Sequence, residues 1–183
     1  MQVNFLNTDT ICAIATPHGV GAIAVVRVSG PKSISIVSQL FTQNGKPFDM
    51  GNMVANKAYY GHIVDHGELL DEVLVTFFKA PHSFTGEDSA EISVHGSVFV
   101  QQKLLQVLIA HGCRMAEAGE FTRRAFINRK FDLAQAEAIA DLISSESEAA
   151  HRVAINQLKG GFSKELQIMR SKLLEMTSFM ELE

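Results

Sequence analysis

The sequence predicts an α+β fold: a mixed or antiparallel sheet with covering helices, followed by an all-α helical arm. Three observations carry that prediction. Up to Val94 the chain consists largely of short runs rich in β-branched residues, punctuated by glycine, proline and Asp-His-Gly turn signals. After Arg114 the alternation ends, and nearly everything that follows is helix-forming sequence. From Leu133 onward small and apolar residues recur every three or four positions. Together they predict an α/β body over residues 1–130 and the first part of a helical domain over residues 131–183.

Thr10 to Thr16 and Ala22 to Val28 read as strands joined by the turn-rich Pro17-His18-Gly19-Val20-Gly21. Ser29-Gly30-Pro31 then reads as a cap followed by a first-turn proline, opening a helix whose buried stripe is Ile34, Val37, Leu40 and Phe41. Gln43 to Asn56, with Gly45, Pro47 and Gly51, reads as a loop. Lys57 to Val64 and Leu69 to Phe78 are strands around the turn Asp65-His66-Gly67. Ala90 to Val94 resumes the strand pattern after a loop from Pro81 to Asp88. Val98 to His111 is apolar at helical spacing (Val98, Leu104, Leu105, Leu108) and stops at Gly112.

The arm opens on Asp132 and Gln135, spaced as a capping box. Leu133, Ala136, Ala140, Ile143, Ser147, Ala150 and Ala154 then form a stripe small enough for a second helix to approach closely. Gly160-Gly161 interrupts it, with Ser163 available as a new N-cap. Phe162, Leu166, Met169, Leu173, Met176 and Met180 repeat in steps of four and three, a coiled-coil-like seam. The seam reaches Glu183 without a helix stop signal, which leads to the expectation that the arm packs on further chain.

With 46% hydrophobic and 20% charged residues the chain has the means to bury a core. A net charge of −4 gives no broad electrostatic drive toward a phosphate backbone, so any nucleic-acid contact is expected to be local. Cys12 and Cys113 are far apart and outside any CxxC pair, which argues for two buried thiols in a reducing compartment. The apolar run from Ala22 to Val26 falls far short of the ~20 residues that span a bilayer, and the N-terminus lacks a basic n-region. A cytoplasmic protein is expected.

Candidate sites are few. His18-Gly19-Val20-Gly21 lacks both the third glycine of a dinucleotide fingerprint and the Gly-Lys-Ser/Thr of a Walker A loop, so it reads as a turn. His62 and His66 fall on a strand end and a turn, with no convergent third ligand in view, and no metal site is predicted. Glu91 precedes Ile92 in an apolar run, so period-two geometry turns the two to opposite faces. Glu91 is therefore either a solvent-facing strand acid or a cavity carboxylate able to accept paired N–H donors from an amidine-like edge, as in pterins and guanines. Gly119 through Lys130 is the basic cluster, able to grip carboxylates or phosphates or to form a solvated helix face. Arg27, inside a strand, needs an anionic partner in any reading. No catalytic set is legible from spacing.

These segments resemble the N-terminal part of bacterial and organellar tRNA modification GTPases, the MnmE (TrmE) family. The resemblance is carried by Asp9-Thr10-Ile11, Ala15-Thr16-Pro17, Val26-Arg27-Val28-Ser29-Gly30, Ser83 through Gly96, and Gly119 through Lys130 continuing from Asp132 to Ala138. It covers nearly the whole chain, with one departure at Ser97, where the family commonly has a second glycine after His95-Gly96. The resemblance implies a tetrahydrofolate-binding, dimer-forming domain akin to folate-dependent aminomethyltransferases, then a helical domain into which a GTPase module is inserted. No Walker A sequence occurs in this chain, so GTP, magnesium and potassium would belong to a module absent from it. With a flavin-dependent partner of the MnmG (GidA) type, the whole protein is expected to install an aminomethyl-type group at C5 of the wobble uridine of tRNA. The one-carbon unit would come from 5-formyl- or 5,10-methylene-tetrahydrofolate.

Carried over residue by residue, the implied folate site is Arg27, Glu91 and Lys130, with no catalytic residue and no metal ligand in this chain. Glu91 would take the donor edge of the pterin, and Arg27 and Lys130 would hold carbonyl or carboxylate oxygens. Two other functions stay open at this point: a purely structural dimerisation platform, and a stand-alone folate-dependent aminomethyltransferase.

Overall fold

A computed structural model describes residues 9–180 of the chain. The chain divides into two compact units, Met1–Asn128 and Arg129–Glu183.

In the first unit β1 (Thr10–Ile14) pairs antiparallel with β2 (Ile23–Ser29). Next come α1 (Ser33–Leu40), β3 (Phe41–Gln43), β4 (Lys46–Pro47), β5 (Ala58–Asp65) and β6 (Glu68–Phe78). The unit ends with β7 (Ser89–His95), α2 (Val98–Ala110), β8 (Cys113–Met115) and α3 (Glu120–Ile127). The eight strands form one sheet in the order β4-β3-β5-β6-β7-β2-β1-β8. Its neighbours are antiparallel except for β1 beside β8, so the sheet is mixed.

Period-two alternation turns Val26, Val28, Val75, Phe77 and Ile92 to one face, where α1 and α2 cover them with Ile34, Val37, Leu40, Leu104 and Leu108. None of these side chains is more than 3% exposed, which makes this the core. The β5–β6 connection is a two-residue turn with positive φ at both His66 (47°) and Gly67 (82°), the hand that matches the twist of a hairpin. Gly96 is needed for close backbone approach: a Cβ there would collide with the Gly21 carbonyl oxygen, and the two segments exchange bonds through Gly21 N–H to Gly96 O (3.0 Å) and Gly96 N–H to Ala22 O (3.1 Å). Ser97 stands at the N-cap position of α2, without a side-chain cap bond, in an extended conformation (φ −71°) that any residue adopts, so a second glycine is not required there.

Several local expectations change. Ser29 does not cap α1: the helix starts after Lys32, and the Ser29 hydroxyl is occupied with Thr85 and Glu87. The expected loop from Gln43 contains the short β3–β4 hairpin and a 3-10 turn at Met50–Asn52. Phe41 begins β3 instead of ending α1, and Val98 is 41% exposed, outside the buried stripe of α2. The three-residue β8 follows Gly112 where no strand was expected, because three residues give too little alternation to read. It sets Cys113 beside β1 and Cys12, two buried free thiols, and hydrogen bonding between them together with burial pushes the Cys113 thiol up.

In the second unit α4 (Leu133–Ser144) begins at the expected capping box, with Gln135 N–H donating to Asp132 Oδ1 at 2.8 Å and Asp132 N–H to Gln135 Oε1 at 2.9 Å. The expected continuous helix is broken at residues 145–147, and Ser147 caps α5 (Glu148–Leu158) by accepting from Ala150 N–H. Ala138 and Ala154 are the buried hydrophobic side chains of this unit among the described residues, whereas Leu133 and Ile143 of the expected stripe are exposed. α6 (Gly161–Met180) starts directly after Gly160 (φ 79°). Ser163 is inside α6, and its hydroxyl donates to Asp132 Oδ2 at 2.5 Å, so it is not an N-cap. Leu166, Met169, Leu173 and Met176 of the seam are exposed. The side chains of Phe162 and Met180, and the chain end at Glu183, lie outside the described residues.

Candidate functional site

The strand register alone brings Arg27 and Glu91 together. Arg27 on β2 stands directly opposite Glu91 on β7, which in turn faces Thr76 on β6. Their neighbours Val26 and Ile92 are fully buried in the core, so Arg27 and Glu91 occupy the other face of the sheet. Arg27 donates to Glu91 Oε1 through Nε (2.8 Å), and its Nη2 lies 2.8 Å from the same oxygen as an ion pair. The side chains are 23% and 31% exposed, which makes this a half-buried pair. The partner that Arg27 requires is thus the other predicted site residue.

Two aromatic rings flank the guanidinium. Its central carbon lies 4.6 Å from the Phe84 ring centroid and 5.6 Å from that of Phe121, within range of cation–π attraction. Phe84 comes from the loop between β6 and β7, and Phe121 from the first turn of α3. Neither was legible as a site residue, since both lie far from Arg27 in sequence. Lys130 belongs to the second unit and is described only within it.

Within the basic cluster Arg123, Arg129 and Lys130 are exposed, whereas Arg124 is enclosed among acids. Arg124 is fully buried and donates to three acids: Asp9 Oδ1 (2.7 Å), Glu120 Oε1 (3.0 Å) and Glu87 Oε2 (3.3 Å). Arg114 joins by donating to Glu120 Oε1 (2.6 Å) and Asp9 Oδ2 (2.7 Å). Burial alone would raise the Glu120 pKa, but donation from Arg114, the Glu117 backbone N–H and Arg124 outweighs it and brings Glu120 down to about 2. Asp9 is lowered for the same reason, its two arginine partners overcoming burial. Glu87 also accepts from the Ser29 hydroxyl (2.8 Å), and Asn128 Nδ2 donates to Thr85 O (2.8 Å). The network therefore fastens the Phe84 loop and the Phe121 helix to β1 and β2. Among the described residues no buried side-chain polar atom lacks a partner.

The same sheet face continues away from the pair into a shallow depression of about 220 Å³ lined by Ile23, Tyr60, Glu72, Leu74, Ser93 and His95. Ile23, Tyr60 and Leu74 are exposed there. His95 is bonded to Asp71 through Nδ1 (2.7 Å) and its backbone N–H (2.8 Å), and that carboxylate holds the imidazole pKa above its ordinary value. His62 meets Glu72 at 3.6 Å. His66 does not converge with His62; it lies near Asp65 and His111, the latter at the end of α2. The loop from His18 to Gly21 is a turn, and Gln101 Nε2 donates to its Gly19 carbonyl (3.2 Å).

Fold and site define an α+β module that displays a guanidinium–carboxylate pair, with two phenylalanine rings near the guanidinium, on the sheet face opposite its core, joined in sequence to a unit of three helices among the described residues. The chain matches the family described as GTP-binding protein TrmE N-terminus over residues 10–130 and the MnmE helical domain over residues 133–183. It belongs to the MnmE (TrmE) family. Similar proteins named tRNA modification GTPase MnmE include those of Flavobacterium johnsoniae (53% identical over 97% of this chain), Porphyromonas gingivalis (51% over 97%) and Bacteroides thetaiotaomicron (55% over 97%). The chain spans 37–38% of the length of these relatives. No helix of the described residues is long and apolar enough to cross a membrane.

Proposed function

We propose that this chain is the folate-binding and dimerising N-terminal part of a tRNA modification GTPase, and that Arg27, Glu91 and Lys130 hold the reduced folate. The observation that carries the reading is the Arg27–Glu91 pair with Phe84 and Phe121 beside its guanidinium. A half-buried carboxylate can accept two parallel N–H bonds from the amidine edge of a pterin, and phenylalanine faces suit a flat ring. Arg27 positions Glu91, while Lys130 supplies a cation for a ligand oxygen, a role taken from the family resemblance. When bound, 5-formyl- or 5,10-methylene-tetrahydrofolate supplies the one-carbon unit. GTP hydrolysis, the wobble-uridine tRNA substrate and a flavin-dependent partner belong to the longer protein represented by the relatives. Exposed Ile23, Tyr60 and Leu74 offer a second copy of the chain an apolar sheet face to cover. A cytoplasmic setting accords with this role.

Calorimetric titration of 5-formyl-tetrahydrofolate tests the reading. The intact chain is expected to bind saturably, and Glu91→Ala to weaken binding by about 2–4 kcal/mol, roughly 30- to 1000-fold. Because the Arg27–Glu91 pair is partly exposed, the same substitution is expected to cost the fold no more than about 1 kcal/mol. Unchanged affinity in a folded variant removes Glu91 from the site. Absence of binding by the intact dimer leaves a purely structural platform as the function.

A further inference from the structure

A second constellation lies at the tip of the β5–β6 hairpin, apart from the Arg27–Glu91 pair. Asp65, His66 and His111 present ligand atoms that all lie within 4.8 Å of one another. Asp65 Oδ1 is 2.9 Å from His111 Nε2 and 3.8 Å from His66 Nε2. We infer that these three residues form a two-histidine, one-carboxylate site for a divalent transition ion of the zinc class.

Ligand atoms about 2.0–2.2 Å from a tetrahedral ion are roughly 3.3–3.5 Å apart, and the two observed separations bracket that spacing. Asp65 and His111, 23% and 27% exposed, have to part by roughly half an ångström, and the His66 ring has to swing inward. That ring is 89% exposed and free to do so, while the positive φ of His66 and Gly67 fixes where its Cβ starts. His111 caps the C-terminal end of α2, where the last carbonyl groups concentrate partial negative charge and favour a cation. Two imidazoles with one carboxylate suit zinc, copper or nickel, whereas magnesium and calcium prefer oxygen donors. Three protein ligands leave a position open to water. His62 and His95 each meet a carboxylate but do not belong to any such cluster among the described residues. A bound ion would tie the hairpin turn to the end of α2, two segments 46 positions apart in sequence.

Zinc chloride titrated into the chain, followed by calorimetry and by cobalt(II) absorption, tests the site. Saturable binding of one ion per chain is expected, without competition from magnesium or calcium. His66→Asn is the decisive variant, because asparagine tolerates the same left-handed turn and an exposed ring contributes nothing to packing. Loss of a direct ligand is expected to weaken zinc by at least the roughly tenfold that follows loss of an outer partner, and His111→Asn to do the same. His62→Asn is the control and is expected to leave affinity unchanged. Bound zinc should also slow amide exchange around residues 65–67 and 111. No saturable uptake, or uptake that survives His66→Asn or falls in His62→Asn instead, overturns the assignment.

Discussion

The two units of this chain bury their side chains by different means. In the α/β body a single cluster joins the sheet to α1 and α2, and even its charged residues Glu120 and Arg124 are fully enclosed and mutually satisfied. In the helical unit Ala138 and Ala154 are the buried hydrophobic side chains among the described residues. Polar contacts recur at its helix junctions: the Asp132–Gln135 capping box, Gln135 Nε2 donating to Leu158 O (2.8 Å), Gln157 Nε2 to Ala134 O (3.0 Å) and Ser163 to Asp132. Along α6, Leu166, Met169, Leu173 and Met176 remain 49–63% exposed. The body is thus specified from within. Among the described residues the helical unit has polar clamps at its turns, two buried alanines and an exposed apolar stripe along α6.

The sharpest way to break this comparison is to attack the body at its buried charge. Arg124→Met removes the cation that serves Asp9, Glu87 and Glu120 and leaves Glu120 enclosed with one arginine fewer. Breaking a buried pair from one side costs about 3–5 kcal/mol, so urea unfolding of the body is expected to shift by that amount. A loss under about 1 kcal/mol would show that the network is dispensable and the contrast between the units overstated.

Acid probes the same network without mutation. The folded pKa of Glu120 lies at about 2, below its ordinary 4.5. A depressed carboxylate stabilises the fold above its unfolded value and loses that contribution as pH falls through the folded one. About 3 kcal/mol is therefore expected to disappear between pH 5 and pH 2 by the usual conversion of a shift into free energy. Unfolding measured across that window should flatten in Glu120→Gln, and an unchanged slope would assign the acid sensitivity to other carboxylates.

Phe84→Ala probes the wall of the candidate site, where the effect is smaller. Loss of one cation–π contact and one stacking face is expected to weaken reduced-folate binding by about 0.5–1 kcal/mol, read as a two- to fivefold rise in Kd. Unchanged affinity would place Phe84 outside the ligand's reach.

What could be read in the sequence divides along the line between local and spatial signals. The β5–β6 hairpin was legible from Asp65-His66-Gly67, and the α4 start from Asp132 and Gln135, since both are decided by a few adjacent side chains. The facing of Glu91 was legible from Ile92, since alternation is local too. The pairing of Glu91 with Arg27 was not, because register between β2 and β7 is set by the whole sheet. Arg124 read as part of a basic surface cluster because its three acidic partners lie 115, 37 and 4 positions away. The break between α4 and α5 was hidden for another reason: serines at helical spacing fit a stripe as well as they fit a cap, and the Ser147 hydroxyl chose the cap.

The smallest effect is expected in the helical unit, and there the two halves of the comparison separate most cleanly. Met169 and Leu173 are 62% and 63% exposed, so replacing either by serine removes little buried apolar area. Each substitution is expected to change the stability of this chain by no more than about 0.5 kcal/mol, the usual range for surface sites. In a protein of the relatives' full length, a further helix docked on the stripe would bury these side chains at about 25 cal/mol per Å², and the same substitutions would then cost 1 kcal/mol or more, roughly. Amide exchange over residues 166–176 supplies the matching measurement: fast in this chain relative to β2, β6 and β7, and slower in the longer protein. A large loss from Met169→Ser already in this chain, with protection equal to that of the body strands, would mean that α6 is covered as it stands and that the two units are built alike.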